Sequence, residues 1–160
     1  MITEQMAALA LYHRQMNQNI YDACGTLDET VLKEDAGLFF KSIFGTLNHM
    51  LLTDRMWFSA FNNERVAYGS LAEELYGDFS ELRLEREYTD KAIGEWVLGL
   101  TGEMLAGPTN ERMNYPLWLT VTHFFNHQTH HRGQITAVLS QHGVDYGITD
   151  MPWVPGVYQR

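Results

Sequence analysis

Apolar residues recur every three or four positions along most of this chain, which is the periodicity of helices with one apolar face. Four stretches follow the pattern, and they predict helices over roughly residues 3–25, 36–62, 78–104 and 116–142. Alternation of apolar and polar residues does not persist anywhere long enough to predict a strand. Residues 143–160 are rich in Gly and Pro, and we predict a non-helical tail there.

Helix-breaking residues separate the four predicted helices. Gly25 ends the first helix, a polar connection with two glycines covers residues 62–77, and a Gly-Pro pair lies within residues 106–110. Pro116 suits the first turn of the fourth helix, where its missing N–H costs no hydrogen bond. Four long amphipathic helices favour an all-α fold, an antiparallel four-helix bundle with one or two longer crossing connections. We therefore expect a single bundle domain over residues 1–160.

The charge balance of the chain excludes several classes of partner. Eleven Lys and Arg face twenty Asp and Glu, which gives a formal net charge of −9 at pH 7. Such a charge repels phosphate backbones and anionic lipid head groups. We therefore expect neither a nucleic acid partner nor a membrane partner.

Cysteine usage and the N-terminal residues indicate the compartment. Cys24 is the single cysteine of the sequence, so the chain cannot form an intrachain disulfide or a cysteine-rich zinc site. Polar residues interrupt the first ten positions before an apolar signal-peptide core could form. The sequence also has no run of about 18 apolar residues that could cross a membrane. These features predict a cytoplasmic protein.

Histidines are concentrated in the fourth predicted helix. Four of the seven histidines of the chain lie within nine positions, from His123 to His131. A helix turns by about 100° per residue, so side chains four positions apart lie on one face and can bind one ion. His127 and His131 have this spacing and point toward the apolar side, whereas His123 lies further round and His130 points away. We predict that His127 and His131 are metal ligands; the alternative is that they are hydrogen-bonded core or surface histidines.

Two imidazoles do not make a tight metal site, so a third ligand must come from another helix. His49 in the second predicted helix is the candidate. It lies on a face of mostly small side chains, which leaves room for an ion, and away from the aromatic face that carries Phe40, Phe44 and Phe58. Because the aromatic face needs a cover of its own, we expect a homodimer that packs through it.

Three further polar residues fall among the apolar positions. Asp54 and Arg86 are predicted to pair across the second and third helices, because an unpaired buried charge costs several kcal/mol. A role in substrate binding is the alternative for these two residues. His13 is predicted to be a hydrogen-bonded core residue. Cys24 lies near a helix end with no basic neighbour to lower its pKa, so we expect an unreactive thiol.

Motifs that the sequence lacks narrow the chemistry of the predicted metal site. There is no His-Glu-x-x-His motif, and there is no Glu-x-x-His pair of the kind that di-iron bundles need on two helices. A glycine-rich phosphate loop and a nucleophile elbow are also absent. What remains is one divalent ion, such as zinc, nickel or iron, held by three imidazoles with open coordination positions, as in catalytic sites. Such an ion can activate water or a thiol.

Four segments carry a family resemblance: residues 48–57 (NHMLLTDRMW), 86–87 (RE), 116–119 (PLWL) and 126–134 (NHQTHHRGQ). The His-His-Arg-Gly-Gln signature in the last helix, paired with a histidine in the second helix, resembles the DinB family of the DinB/YfiT-like superfamily. The three metal ligands of that family fall on His49, His127 and His131. His130 matches a signature residue that is not taken as a ligand.

The resemblance implies a four-helix bundle of up-down-down-up topology, commonly dimeric, with one mononuclear divalent ion. Related superfamily members transfer bacillithiol, mycothiol or glutathione to electrophiles, or use a thiol for isomerisation. By that similarity we expect a metal-dependent thiol S-transferase whose partners are a low-molecular-weight thiol and an electrophilic small molecule. Two other classes stay open: a metal-binding stress or accessory protein without turnover, and a metal-dependent hydrolase.

Overall fold

The computed structural model describes residues 1–157, and four long helices dominate it. These helices are α1 (Ile2–Cys24), α3 (Ile43–Phe61), α4 (Phe79–Leu98) and α6 (Leu117–Gln141). Helices α1 and α3 each pack against both α4 and α6. The predicted all-α helical bundle is therefore confirmed. Within residues 1–157, no helix is both long enough and apolar enough to cross a membrane.

The connections contain short elements that the apolar pattern did not predict. Helices α2 (Glu29–Lys33) and α5 (Gly102–Ala106) are each about one turn long. Strands β1 (Pro108–Asn110) and β2 (Met113–Pro116) form an antiparallel pair, so the prediction of no strand was wrong here. Three or four residues are too few to show an alternating pattern, and this is why the strands escaped detection. The tail contains a 3-10 helix over Met151–Trp153, and its last residues, 158–160, lie outside the described part.

The second predicted helix begins later than its apolar pattern indicated. We predicted residues 36–62, but α3 begins at Ile43, after a turn in which Leu38 and Lys41 form an isolated bridge. Lys41 has a φ of 68°, in the left-handed region that a continuing α-helix excludes. Ser42 then caps the helix, because its side chain accepts a hydrogen bond from the backbone N–H of Gly45 at 2.9 Å.

Gly45 lets the chain turn back sharply onto the new helix. A Cβ at this position would collide with the carbonyl oxygen of Phe40, so a side chain does not fit there. The close approach brings Phe40, which we had assigned to the aromatic face of the helix, out of α3 and over His49 instead. Because the start of α3 was predicted wrongly, the contact of Phe40 with the predicted ligand His49 was not expected.

The third predicted helix, residues 78–104, is divided in the structure. Helix α4 ends at Leu98, with Gly99 at its C-cap, and α5 starts afresh at Gly102. Thr101 caps α5 by accepting a hydrogen bond from the backbone N–H of Met104 at 3.2 Å. Apolar residues continue the helical spacing across this break, so the pattern alone did not reveal it.

The bundle interior has two apolar layers with a polar layer between them. One apolar cluster takes in Ile20 of α1 and Ile135 of α6, and the other takes in Met6 and Phe124 from the same two helices. Between these positions each long helix contributes buried polar or charged side chains: His13, Asn17, Asp54, Arg86, Asp90, Gln128 and Arg132. A buried charge costs free energy unless it is paired, so this layer needs internal partners.

Part of the aromatic face of α3 lies inside the chain. Phe44, Leu47 and Leu51 are 0% exposed and belong to the cluster that also contains Ile20. These side chains are thus covered by the helices of their own chain. This part of the face therefore needs no partner chain, whereas Phe58 of the same face is only half-buried. The homodimer stays a prediction.

Candidate metal centre

Three imidazoles converge between α3 and α6. His49 lies on α3, while His127 and His131 lie one turn apart on α6. One ligand nitrogen from each ring lies within 4.8 Å of the other two. The ring centroids are separated by 5.4 Å, 4.6 Å and 4.5 Å. The structure thus brings together the three histidines that the sequence analysis selected as ligands.

Hydrogen bonds to the outer ring nitrogens orient two of these imidazoles. Nδ1 of His49 lies 2.8 Å from the carbonyl oxygen of Leu71, and Nδ1 of His131 lies 2.9 Å from Oε1 of Gln134. Both oxygens can only accept, so each Nδ1 carries the proton and donates it. The lone pairs on Nε2 of His49 and His131 are then available for a metal ion.

The spacing of the donor atoms fits a divalent ion. Nε2 of His127 lies 3.2 Å from Nε2 of His131. In a tetrahedral site with metal–nitrogen bonds of about 2.1 Å, the nitrogen–nitrogen distance is about 3.4 Å. Three imidazoles without a carboxylate or thiolate form a donor set that suits zinc, nickel or iron. The residues present therefore fit the ion that the sequence predicted.

Burial keeps the three imidazoles neutral at pH 7. It is the main cause that lowers the pKa of His127 to about 4, and the neighbouring rings of His131 and His49 lower it further. Burial also lowers the pKa of His49 and of His131, although the hydrogen bonds to Leu71 and Gln134 act in the opposite direction. Only neutral imidazole binds a metal, so the site is ready to do so without losing protons from these rings.

Phe40 forms an apolar wall beside the imidazoles. Its ring stacks on that of His49, with the centroids 3.7 Å apart and the planes at 19°. The Phe40 centroid is also 5.7 Å from that of His131. His49 and His131 are only 3% and 6% exposed. The wall limits the access of water to one side of the site, which strengthens electrostatic interactions there.

The other histidines of the fourth helix lie at the surface. His123 and His130 are exposed, and neither belongs to the group whose ligand atoms converge. His130 is next to His131, with ring centroids 4.9 Å apart, but its side chain faces solvent. This agrees with the helical geometry, which had directed His130 away from the apolar side.

A second group of donors lies deeper in the polar layer. His13, Asp54 and Asp90 are all buried, and their ligand atoms also lie within 4.8 Å of one another. Arg86 already bridges the two carboxylates, with Nη1 2.7 Å from Oδ2 of Asp54 and Nη2 2.6 Å from Oδ1 of Asp90. The predicted pair of Asp54 and Arg86 is thus confirmed, and Asp90 extends it.

The tautomer of His13 follows from its contact with Arg132. Nη1 of Arg132 lies 3.2 Å from Nδ1 of His13, and a guanidinium can only donate. Nδ1 of His13 is therefore the acceptor, and the proton on Nε2 faces Asp90 at 3.0 Å and Asp54 at 3.3 Å. A metal ion here would have to displace both this proton and the Arg86 guanidinium. His13 is thus the hydrogen-bonded core residue that we predicted.

We call the group formed by His13, Asp54, Arg86 and Asp90 the charge network. Electrostatic effects in it are large because all four side chains are buried. Burial opposes ionisation of Asp90, but the charge of Arg86 and the hydrogen bonds from His13 and Asn17 outweigh that effect and lower the pKa of Asp90. Arg86 is also held in its charged form, since the two aspartates raise its pKa against the effect of burial. The network therefore consists of ions that stabilise one another.

Cys24 takes no part in either group. The side chain is 0% exposed, and burial raises the pKa of its thiol to about 12. A thiol at neutral pH with so high a pKa is a poor nucleophile. The structure thus agrees with the expectation of an unreactive cysteine.

Sequence reasoning missed several residues that shape the two groups. Gln134 lies three positions after His131 on the same helix. Side chains with this spacing are neighbours, so the sequence alone could have identified Gln134 as a partner of His131. Gln128 donates a hydrogen bond from Nε2 to Oδ1 of Asp54 and another to the carbonyl oxygen of Met50 at 3.1 Å. These two hydrogen bonds link α6 to α3. Gln128 follows the predicted ligand His127 directly and contacts Asp54 of the charge network.

Known proteins resemble this chain over nearly its whole length. The model of the DinB family matches residues 1–159. Among curated proteins, the chain is similar to Protein DinB of Bacillus subtilis (strain 168), with 25% identity over 152 residues, which cover 86% of this chain and 88% of that protein. No solved structure matches.

Proposed function

The chain belongs to the DinB family, and on this basis we propose that His49, His127 and His131 bind one divalent ion in an enzyme. The observation that supports this most is the convergence of three neutral imidazoles, two of which have a free Nε2 lone pair. Zinc, nickel and iron all suit this donor set. Three protein ligands leave at least one coordination position open, as in catalytic sites.

We propose a thiol S-transferase reaction for this site. When bound, the ion would lower the pKa of a low-molecular-weight thiol and so supply a thiolate nucleophile. In the transfer, the sulfur forms a bond to an electrophilic carbon, the leaving group departs with its bonding electrons, and the thiol proton goes to solvent. The protein orients His49 and His131 through Leu71 and Gln134, while Phe40 restricts water on one side.

A hydrolase is a weaker candidate because it needs a general base near the metal site. Asp54 follows His49 on α3, but its two oxygens are engaged by Gln128 and Arg86. Asp54 is also 0% exposed, so neither oxygen is placed to take a proton from a water molecule at the metal site. A metal-binding protein without turnover is the other alternative, and the experiment below separates it from an enzyme.

The test of the enzyme proposal uses a panel of low-molecular-weight thiols with a model electrophile. We expect metal-loaded protein to accelerate thiol loss with at least one thiol, and His131→Ala to lose that acceleration. His130→Ala is the matched control, since it removes an exposed neighbouring imidazole from the same helix. If thiol loss is no faster with metal-loaded protein than without protein across the panel, the protein without turnover is favoured.

We also propose that the chain forms a homodimer. The proposal rests on the family resemblance alone. Light scattering at micromolar concentration tests it directly, and a monomeric mass would contradict it.

A further inference from the structure

A cavity separate from the metal site opens between α1, α6 and the tail. Its volume is about 320 Å³, and Tyr12 of α1, Thr129 of α6 and Thr149 of the tail are among its lining residues. Its lining contains none of the three histidines of the metal site. The volume is within the range of pockets that hold small organic ligands.

Arg132 supplies the charge of this cavity. Among the described residues that line it, Arg132 is the one with an ionisable acidic or basic group other than tyrosine. Its side chain is 5% exposed, so the cation is almost fully removed from solvent. A buried cation costs free energy unless an anion lies close to it.

The direct partners of Arg132 are all neutral groups. The guanidinium donates to Nδ1 of His13 at 3.2 Å, to Oδ1 of Asn17 at 3.3 Å and to Oγ1 of Thr129 at 3.0 Å. Within residues 1–157 it forms no ion pair with a carboxylate, whereas Arg86 in the same polar layer forms two. Among residues 1–157, the cavity therefore places a buried cation, without a contacting anion, beside open space.

Two further hydrogen-bond donors lie on the cavity wall. Oδ1 of Asn19 accepts from Gln15 at 3.0 Å, so the NH₂ group of Asn19 is available to a ligand. The hydroxyl oxygen of Tyr146 accepts from Ser140 at 3.3 Å, so its own proton is available as well. Buried Met16 and Ile20 provide apolar surface in the same cavity.

We propose that this cavity binds the carboxylate of a small organic acid, with Arg132 as the counter-ion and Asn19 and Tyr146 as additional donors. A guanidinium presents two parallel N–H groups that match the two oxygens of a carboxylate. One cation balances one carboxylate. The apolar surface of Met16 and Ile20 suits a short hydrocarbon or aromatic group on the acid. Inorganic phosphate carries more charge than a single Arg132 balances, and it gains nothing from Met16 and Ile20.

The experiment measures binding of benzoate to the full chain by calorimetry, with benzyl alcohol and inorganic phosphate as comparison probes. We expect benzoate to bind at least about tenfold more tightly than benzyl alcohol, because a hydrogen bond to a charged group contributes this much. Equal binding of benzoate and benzyl alcohol would overturn the proposal. Tighter binding of phosphate than of benzoate would overturn the choice of a carboxylate.

A variant that fills the cavity mouth tests the location without removing a core residue. Gly133 lines the cavity within helix α6, and a Cβ added there meets nothing within 4 Å. Gly133→Leu therefore places a side chain at the mouth and also replaces a glycine inside a helix, which favours folding. Gly94→Leu in α4 is the matched control, because an added Cβ there also meets nothing within 4 Å.

We expect Gly133→Leu to weaken benzoate binding at least about tenfold and Gly94→Leu to leave it unchanged. Arg132→Met should weaken it to a similar extent, but this variant also removes a partner of His13, so its folding must be checked by circular dichroism. Should Arg132→Met fail to fold, the comparison of benzoate binding in Gly133→Leu and Gly94→Leu still tests the location of the site. Unchanged benzoate binding in Gly133→Leu would overturn the proposed site.

Discussion

The metal-site histidines and the charge network around Arg86 satisfy the same distance criterion for a metal site, yet they are chemically different. In both groups three donor atoms lie within 4.8 Å of one another. The charge network already contains a cation, since Arg86 contacts both Asp54 and Asp90. The three imidazoles contain no cation and no anion, and the Nδ1 protons of His49 and His131 point outward to Leu71 and Gln134.

Convergence of three possible ligand atoms therefore does not by itself define a metal site. A group of carboxylates attracts whatever cation the fold supplies, and here the fold supplies a guanidinium from α4. Neutral imidazoles whose Nδ1 protons face outward direct their Nε2 lone pairs toward one another, where an ion can bind them. We therefore expect the charge network to contribute to stability and the three histidines to bind the ion.

The largest expected effect comes from removing the cation of the charge network. Arg86→Leu leaves Asp54 and Asp90 buried without their guanidinium, and loss of one partner of a buried ion pair costs about 3–5 kcal/mol. Urea unfolding of the variant measures this loss. Arg83→Leu is the matched control, because Arg83 pairs with Asp22 at the partly exposed surface, where such a pair contributes less than about 1 kcal/mol. Equal losses in the two variants would contradict the role that we give to Arg86.

An intermediate effect is expected from the side chain that orients His131. Gln134→Leu removes the acceptor for Nδ1 of His131 and should weaken metal binding by about 10–100-fold. Competition with a chelator of known affinity measures the change. His130→Ala serves as the control on the same helix and should leave the affinity unchanged. A normal affinity in Gln134→Leu would show that this hydrogen bond does not position the ring.

The smallest effect is a pH dependence of the metal-free protein. The pKa of His127 is about 4 in the folded chain and 6.5 in the unfolded chain. As the pH falls below 6.5, the unfolded chain therefore gains a proton before the folded chain does, and stability decreases toward pH 4. We expect about 1 kcal/mol or less from this half-exposed ring, because solvent screens it.

Urea unfolding at pH 7 and pH 5 measures this decrease. It should be smaller in His127→Gln than in the unchanged chain, since Gln has no proton to gain. If the two proteins lose the same stability between these pH values, His127 does not have the lowered pKa.

The apolar pattern predicted the bounds of α1 and α6 best. Helices α1 and α6 end and begin close to Gly25 and Pro116, as expected. The start of α3 was wrong because Phe40 continues the helical spacing, while the backbone reverses at Lys41. Periodicity reports which side chains are apolar and does not report a local left-handed conformation.

Helical spacing also explains how much of the candidate site was predictable. His127 and His131 follow from their separation by one turn, whereas His49 was selected mainly by the family resemblance and by the small side chains around it. The carbonyl of Leu71 comes from a connection without regular structure, so no spacing rule indicates it. The pairing of Asp54 with Arg86 was expected from the cost of burial, but the sequence did not indicate that Asp90 joins the pair.

The metal content of two variants, purified without a metal-affinity tag, tests the central claim most directly. Elemental analysis should find up to about one equivalent of a divalent ion in the unchanged chain. Asp90→Asn should keep it, and His131→Ala should lose it, with both variants shown to be folded by circular dichroism. Retention of the ion in His131→Ala together with its loss in Asp90→Asn would contradict the account and place the metal in the charge network.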